Sequence, residues 1–322
     1  MLRKRLAGGL RVVLSVLTLG ILISQVGGRD LLNALRGADV GLLVLAWALF
    51  LLGVVVRVFR WRALLHGLGL RPPFWLLLRL YLVGGFFNAF LPSGFGGDVV
   101  RVVELGQHEE DRAAVLGTVL VDRLTGILSL LAMGLAVLPF AKGLTPAVCW
   151  VFAGVAGAGL LAGALVLEGR LLRRLTPWLP TRVSLAGEGA LAKVYAAVTG
   201  SGSRALWVAL GLSTVFNLIN VLVHWVCGRA VGLELQSSAY FVVVPLLALA
   251  LLLPISVGGL GARDWVGQLL LVPSGVPDTL SAAWTLSVWA VTAAAGLVGG
   301  LIYLYEGLAG LARRREESAS TR

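Results

Sequence analysis

The chain has 322 residues, of which 58% are hydrophobic and 13% charged, against about 45 to 50% apolar and about 25% charged in a soluble domain. That composition excludes a water-soluble globular protein and asks for a chain whose apolar segments dissolve in lipid. The net charge of +11 would suit a nucleic-acid binder, but the basic residues fall between apolar runs. This is the positive-inside pattern of a membrane protein, which also holds anionic lipid headgroups, and no nucleic-acid partner is expected.

A hydrocarbon core of about 30 Å needs about 20 apolar residues per helix. Residues 1–28 combine a basic start, Arg3, Lys4, Arg5 and Arg11, with an apolar middle, as a signal peptide does. No small-x-small cleavage site follows cleanly, so a retained first helix at about 12–27 is expected. The second apolar run, about 41–58, leads into a segment with Arg57, Arg60, Arg62 and Arg71, read as a cytoplasmic loop. Further runs at about 113–138, 147–167, 205–227 and 281–305 bring the expected full spans to six. Arg170, Arg173, Arg174, Arg182, Lys193 and Arg204 fill the cytoplasmic linker 168–204, within which the polar stretch 184–199 suits a surface helix. Arg313, Arg314 and Arg315 lie in the tail, 311–322, so both termini are expected in the cytoplasm.

Keeping the basic loops on one side requires two further segments to enter and leave by the same face. Residues 74–110 are expected to form a re-entrant hairpin turning at Leu91-Pro92-Ser93-Gly94-Phe95-Gly96-Gly97, and residues 239–272 a second one turning at Leu253-Pro254-Ile255-Ser256-Val257-Gly258-Gly259-Leu260-Gly261. The expected fold is an all-α polytopic membrane protein of about eight membrane segments, with residues 1–310 as one domain. The two turns match: Gly96, Gly97 and Arg101 follow Pro92 at the offsets at which Gly258, Gly259 and Arg263 follow Pro254. Hairpins entered from opposite faces suggest an inverted repeat, with halves at about 41–138 and 205–305 and a substrate site where the broken helices meet.

Charges inside apolar segments are costly and are functional candidates. They are Asp98, Arg101 and Glu104, then Asp122 and Arg123, then Arg263 and Asp264. A helix amino terminus attracts anions, and an arginine fork nearby matches phosphate oxygens. Arg101 and Arg263, with Gly96, Gly97, Gly258 and Gly259, would then hold a lipid phosphate, while the carboxylates balance charge or couple movement to protons. The alternative is that these charges only neutralise one another and stabilise the packed hairpins. Asp122 and Arg123 point about 100° apart on a helix, so each must reach a different neighbour.

Asn88, Asn217 and Asn220 suit interhelical hydrogen bonds, and tryptophans such as Trp61, Trp75, Trp178 and Trp207 suit interfacial anchors. His66, His108 and His224 are isolated, and Cys149 and Cys227 lie far apart, so no metal site, disulfide framework or cofactor is expected. No Walker loop, metallohydrolase helix or nucleophile elbow is present, which disfavours an ATP-driven pump and leaves no catalytic residue to name.

The set Arg60-Trp61, Asn88-Ala89-Phe90-Leu91-Pro92 with Gly96-Gly97-Asp98 and Arg101, Asp122-Arg123-Leu124 with Gly126, and Leu253-Pro254-Ile255-Ser256 with Gly258 to Asp264 resembles the lysylphosphatidylglycerol synthase transmembrane-region family, also described as flippase-like. The resemblance implies a prokaryotic inner-membrane protein that moves anionic or isoprenoid-linked lipids between leaflets. It also implies membrane lipids as partners and admits a separate lipid-modifying synthase. Relatives often carry glutamate where this chain has Asp98 and Asp264, which shortens the reach of each carboxylate. The two-part synthases add a soluble aminoacyl-transfer domain, and here about 17 residues follow the last expected span. Lysyl transfer by this chain is therefore not expected. The function expected is that of a lipid translocator, the alternatives being a membrane enzyme acting on a lipid headgroup and a non-catalytic partner of a synthase.

Overall fold

The computed structural model describes residues 33, 35–90, 96–107, 111–168, 195, 196, 198, 200–252, 259 and 261–320, the side chains of the last helix only as far as Glu306. Those residues form helices and turns without a β-strand. In chain order the helices are α1 (Val40–Gly67), α2 (Phe74–Phe90), α3 (Gly96–Leu105), α4 (Arg112–Val137), α5 (Pro146–Glu168), α6 (Ser203–Ala230), α7 (Ser237–Ala250), α8 (Ala262–Leu271) and α9 (Asp278–Ser320).

Five segments are long and apolar enough to cross a membrane: Val40–Gly67, Arg112–Phe140, Pro146–Val166, Ser203–Ala230 and Asp278–Glu306. They correspond to five of the six expected spans, and the sixth, 12–27, lies outside the described residues. Their outer surfaces are apolar, with Trp75, Trp150, Trp207 and Tyr305 all largely exposed. In water such a surface would drive association, whereas in a bilayer it meets its own kind. The chain is a multi-pass membrane protein.

Local chemistry sets the helix starts. Asp39 caps α1 by accepting the Leu42 N–H at 3.1 Å. Asp111 caps α4 by accepting those of Ala113 and Ala114 at 3.0 Å each. Both supply an acceptor for amides that have no partner inside their own helix.

Two expectations change here. The second span does not stop at residue 58, because α1 runs on to Gly67 and carries Arg57, Arg60 and Arg62 inside a helix. The residues after Arg57 remain apolar enough to pack, and Arg60 is only 3% exposed. Trp61, expected at the interface, is fully buried and donates from Nε1 to Thr118 Oγ1 at 3.0 Å. The basic tail also continues α9 as far as Ser320, as suits its alanine, leucine, arginine and glutamate content.

The helices form two quartets, α1 to α4 and α6 to α9, each running long, short, short, long. Exchanging the quartets maps the packing onto itself: α2 against α9 corresponds to α7 against α4, α1 against α9 to α6 against α4, and α1 against α4 to α6 against α9. The longest contact, α1 along α6, maps onto itself. One apolar core lies within the first quartet around Trp61, Tyr81, Leu77 and Leu105. A larger one joins α5 to the second quartet around Phe152, Tyr240 and Trp284.

Candidate functional site

Arg57, Arg60 and Trp61 recur on α1 at spacings of three and four, which places them on one helix face. That face meets α4 at Asp122, whose carboxylate is fully buried. Arg60 Nε donates to Asp122 Oδ1 at 2.6 Å, and Arg60 Nη1 donates to Ser213 Oγ at 3.1 Å. Tyr81 Oη on α2 donates to Asp122 Oδ2 at 2.7 Å, and Arg101 Nη2 on α3 donates to the same oxygen at 3.1 Å. One carboxylate thus ties together all four helices of the first quartet.

Arg101 is 2% exposed and has little freedom left. Its Nη1 lies 3.3 Å from Asp98 Oδ1, and its guanidinium carbon sits 4.1 Å from the ring centres of both Trp61 and Tyr81. Such desolvated cation–π contacts are worth about 2 kcal/mol. Arg123 pairs with Asp98 rather than with its neighbour Asp122, as their separation around the helix requires. Glu104 pairs elsewhere, with Arg79 Nη1 at 2.9 Å, and Arg79 Nε reaches Glu306 Oε1 at 2.5 Å, which links α2, α3 and α9.

The amino terminus of α3 is closed by protein. Gly97 N–H donates to Asn88 Oδ1 at 2.8 Å. A Cβ at Gly97 would lie 2.6 Å from Asn88 Nδ2 and against Gly84 O, so only glycine allows α2 and α3 to meet this closely. Pro92, Pro254 and Gly258, expected at the two turns, lie outside the described residues.

Asp264 on α8 is 1% exposed and is turned toward its own helix. Oδ2 accepts the Gly261 N–H at 3.0 Å, and Oδ1 accepts the Thr285 hydroxyl of α9. The expected neutralisation of Arg263 by Asp264 or Glu104 is therefore not a contact pair, because both carboxylates are committed elsewhere. Among the described residues Arg263 Nη1 is buried without a hydrogen-bond partner. The same holds for Arg57 Nε, although the Arg57 guanidinium lies over the rings of Tyr81 and Phe216, at 4.9 and 5.3 Å.

These two arginines face two adjoining cavities of about 350 and 300 Å³, whose walls share Arg57, Asn88, Leu251 and Arg263. The larger one adds Arg60, Arg123, Asn217 and Asn220, with Phe216, Leu130 and Leu252 as apolar wall. Asn217 Nδ2 is held by Gly126 O at 2.9 Å, which fixes α6 against α4. Among the described residues no carboxylate lines either cavity. Among the described residues, five guanidinium groups at or beside this space, those of Arg57, Arg60, Arg101, Arg123 and Arg263, stand against three carboxylates, those of Asp98, Asp122 and Asp264, and two positive charges remain. The arrangement can receive an anion. Among the described residues no group of three His, Cys, Asp or Glu side chains is placed to hold a metal ion.

Of the residues singled out in the sequence, the structure gathers Asp98, Arg101, Asp122 and Arg123 into one network, places Arg263 and Gly259 on the cavity wall, and sets Glu104 apart. Sequence reasoning missed Arg57, Arg60 and Tyr81. The signal for the arginines was available: they recur at helical spacing in a stretch that stays apolar through Leu65.

A family model described as lysylphosphatidylglycerol synthase TM region matches residues 9–306. No curated protein matches the chain. The chain belongs to that family.

Proposed function

We propose that this family member is a flippase-like lipid translocator, which carries an anionic phospholipid or polyprenyl-phosphate-linked lipid between leaflets. The observation that carries this reading is the pair of arginines on the cavity walls, Arg57 and Arg263, each with a buried nitrogen that lacks a partner. A buried unpaired cation is expensive, and a headgroup phosphate would supply the missing acceptor while the hydrocarbon chains stay in lipid. The phosphate role foreseen for the pair Arg101 and Arg263 passes to Arg57 and Arg263, because Arg101 lines neither cavity and is ion-paired with Asp98 and Asp122 between two rings. Gly259, beside Arg263 on the wall, remains part of the binding turn.

In this reading α2 with α3, and α7 with α8, are two re-entrant hairpins related by an inverted repeat. The matching helix lengths and the exchange symmetry of the packing support it, and such repeats meet at a midplane substrate site. Asp122 acts as a fixed counter-ion, since two arginines and a tyrosine hold it. Membrane lipids are the partners, and a separate synthase could supply the substrate. The chain itself is not read as an enzyme, and its place is the prokaryotic inner membrane with both termini in the cytoplasm.

The test is a leaflet-transfer assay in proteoliposomes with a fluorescent anionic phospholipid. Wild type is expected to speed transfer at least tenfold over protein-free vesicles, and Arg57→Gln and Arg263→Gln to return it to background while remaining folded. Equal transfer by wild type and both variants would sink the reading. Chemical turnover of lipid in detergent would favour a headgroup-modifying enzyme instead.

A further inference from the structure

We infer that the cavity selects a dianionic phosphate, a phosphomonoester headgroup, over the singly charged phosphodiester of ordinary phospholipids and over zwitterionic or aminoacylated headgroups. The inference rests on the translocator reading above and narrows its substrate. Three observations carry it.

Charge is the first. The guanidinium groups at the cavity exceed the carboxylates that answer them by two. Arginine stays protonated in proteins, so this excess cannot be relieved by titration and must be met by a ligand. A phosphodiester brings one negative charge, and a fully ionised phosphomonoester brings two. Geometry is the second. Arg57 comes from α1 and Arg263 from α8, and both line each of the adjoining cavities. A phosphomonoester presents three terminal oxygens, enough to accept from two arginine forks at once. Asn88, on both walls, has its Oδ1 committed to the Gly97 N–H. A phosphodiester has two such oxygens and carries one negative charge, so it answers one of the two surplus positive charges. The third is chemical: the described walls hold no carboxylate, so an ammonium group would meet arginines and no counter-ion. Volumes of about 350 and 300 Å³ suit a headgroup and leave the chains outside.

The charged and titratable groups around this space are known for each packed element. They are Arg57 and Arg60 from α1, Tyr81 from α2, Asp98 and Arg101 from α3, and Asp122 and Arg123 from α4. From α6 come His224 and Cys227, within electrostatic reach of Arg263, and from α8 come Arg263 and Asp264. The described cavity residues of α7 and α9, such as Ala248 and Thr292, do not titrate. The second ionisation of a phosphomonoester lies at about pH 6, so binding of that headgroup should strengthen as pH rises from about 5 to about 8.

The experiment displaces fluorescent phosphatidic acid from the full-length protein in detergent micelles, with phosphatidic acid, phosphatidylglycerol, lysyl-phosphatidylglycerol and inorganic phosphate as competitors. Because hydrogen bonds to charged groups are worth about 1.5 to 3 kcal/mol, phosphatidic acid should displace the probe about tenfold or more better than phosphatidylglycerol at pH 8. Lysyl-phosphatidylglycerol should be the weakest lipid. Arg57→Gln or Arg263→Gln alone should reduce the preference for phosphatidic acid to about twofold or less. Should a variant fail to fold, wild type still decides: affinity for phosphatidic acid should rise about tenfold from pH 5 to 8, and that for phosphatidylglycerol should not rise. Equal competition by phosphatidic acid and phosphatidylglycerol, lost together on substitution, would overturn the dianion inference and leave the anionic-lipid site standing. Binding indifferent to both substitutions would overturn both. Inorganic phosphate competing as well as phosphatidic acid would keep the dianion and replace the lipid by a soluble phosphate.

Discussion

Arg101 and Arg263 stand nine residues after Pro92 and Pro254, on the corresponding short helices of the two quartets, yet they end in opposite circumstances. Arg101 is enclosed by two rings and bonded to two aspartates. Arg263 lines a cavity with a buried nitrogen unanswered. The difference comes from the carboxylates around them. Beside Arg101 stand Asp98, three residues earlier on α3, and Asp122 on α4. Beside Arg263 stands Asp264, which spends its oxygens on the Gly261 amide and on Thr285. Position in a repeat sets where an arginine lies, and its neighbours set whether it is structural or free to bind.

The contrast is sharpest at Asp122. Asp122→Ala would leave Arg60 and Arg101 buried without their shared counter-ion, and breaking such an arrangement costs about 3 to 5 kcal/mol. Unfolding in mixed detergent and dodecyl sulfate micelles should show the largest loss there of any single substitution in the network. Next come the two arginines. Arg101→Met should cost about 3 kcal/mol, because Asp98 and Asp122 lose a partner, whereas Arg263→Met should lie within about 0.5 kcal/mol of wild type or above it, because it removes a charge that no contact neutralises. Equal destabilisation by the two would break the comparison. The smallest expected difference within a pair concerns the glycines. Gly97→Ala forces a methyl group into Asn88 and the Gly84 backbone, and overpacking costs about 1 to 3 kcal/mol. Gly259→Ala meets the flexible end of Leu251 at a φ of +82°, with a left-handed penalty of about 1 to 2 kcal/mol. Thermal midpoints should rank Gly97→Ala at or below Gly259→Ala.

The sequence carried the membrane character of the chain, five of its crossing helices and the rule that Asp122 and Arg123 reach different neighbours. It misread Arg57 and Arg60 as loop charges because the positive-inside pattern rewards any arginine at the end of an apolar run, and α1 extends past them to Gly67. It misread Trp61 for a related reason: a tryptophan near a segment end suits an interface only if the segment ends there.

What the sequence determined by itself is whatever depends on neighbours along the chain: apolar length, helix caps at Asp39 and Asp111, the angular separation of adjacent side chains, and the motifs that carry family membership. What only the tertiary structure decided is which cation is free. Asp122 lies 62 residues from Arg60 and 21 from Arg101, and local spacing cannot say which of several arginines a distant carboxylate will meet. Neutralisation in a low-dielectric interior requires contact, contact requires packing, and the packing of α1 against α4 and α6, and of α8 against α7 and α9, leaves Arg57 and Arg263 at the cavity with positive charge to spare.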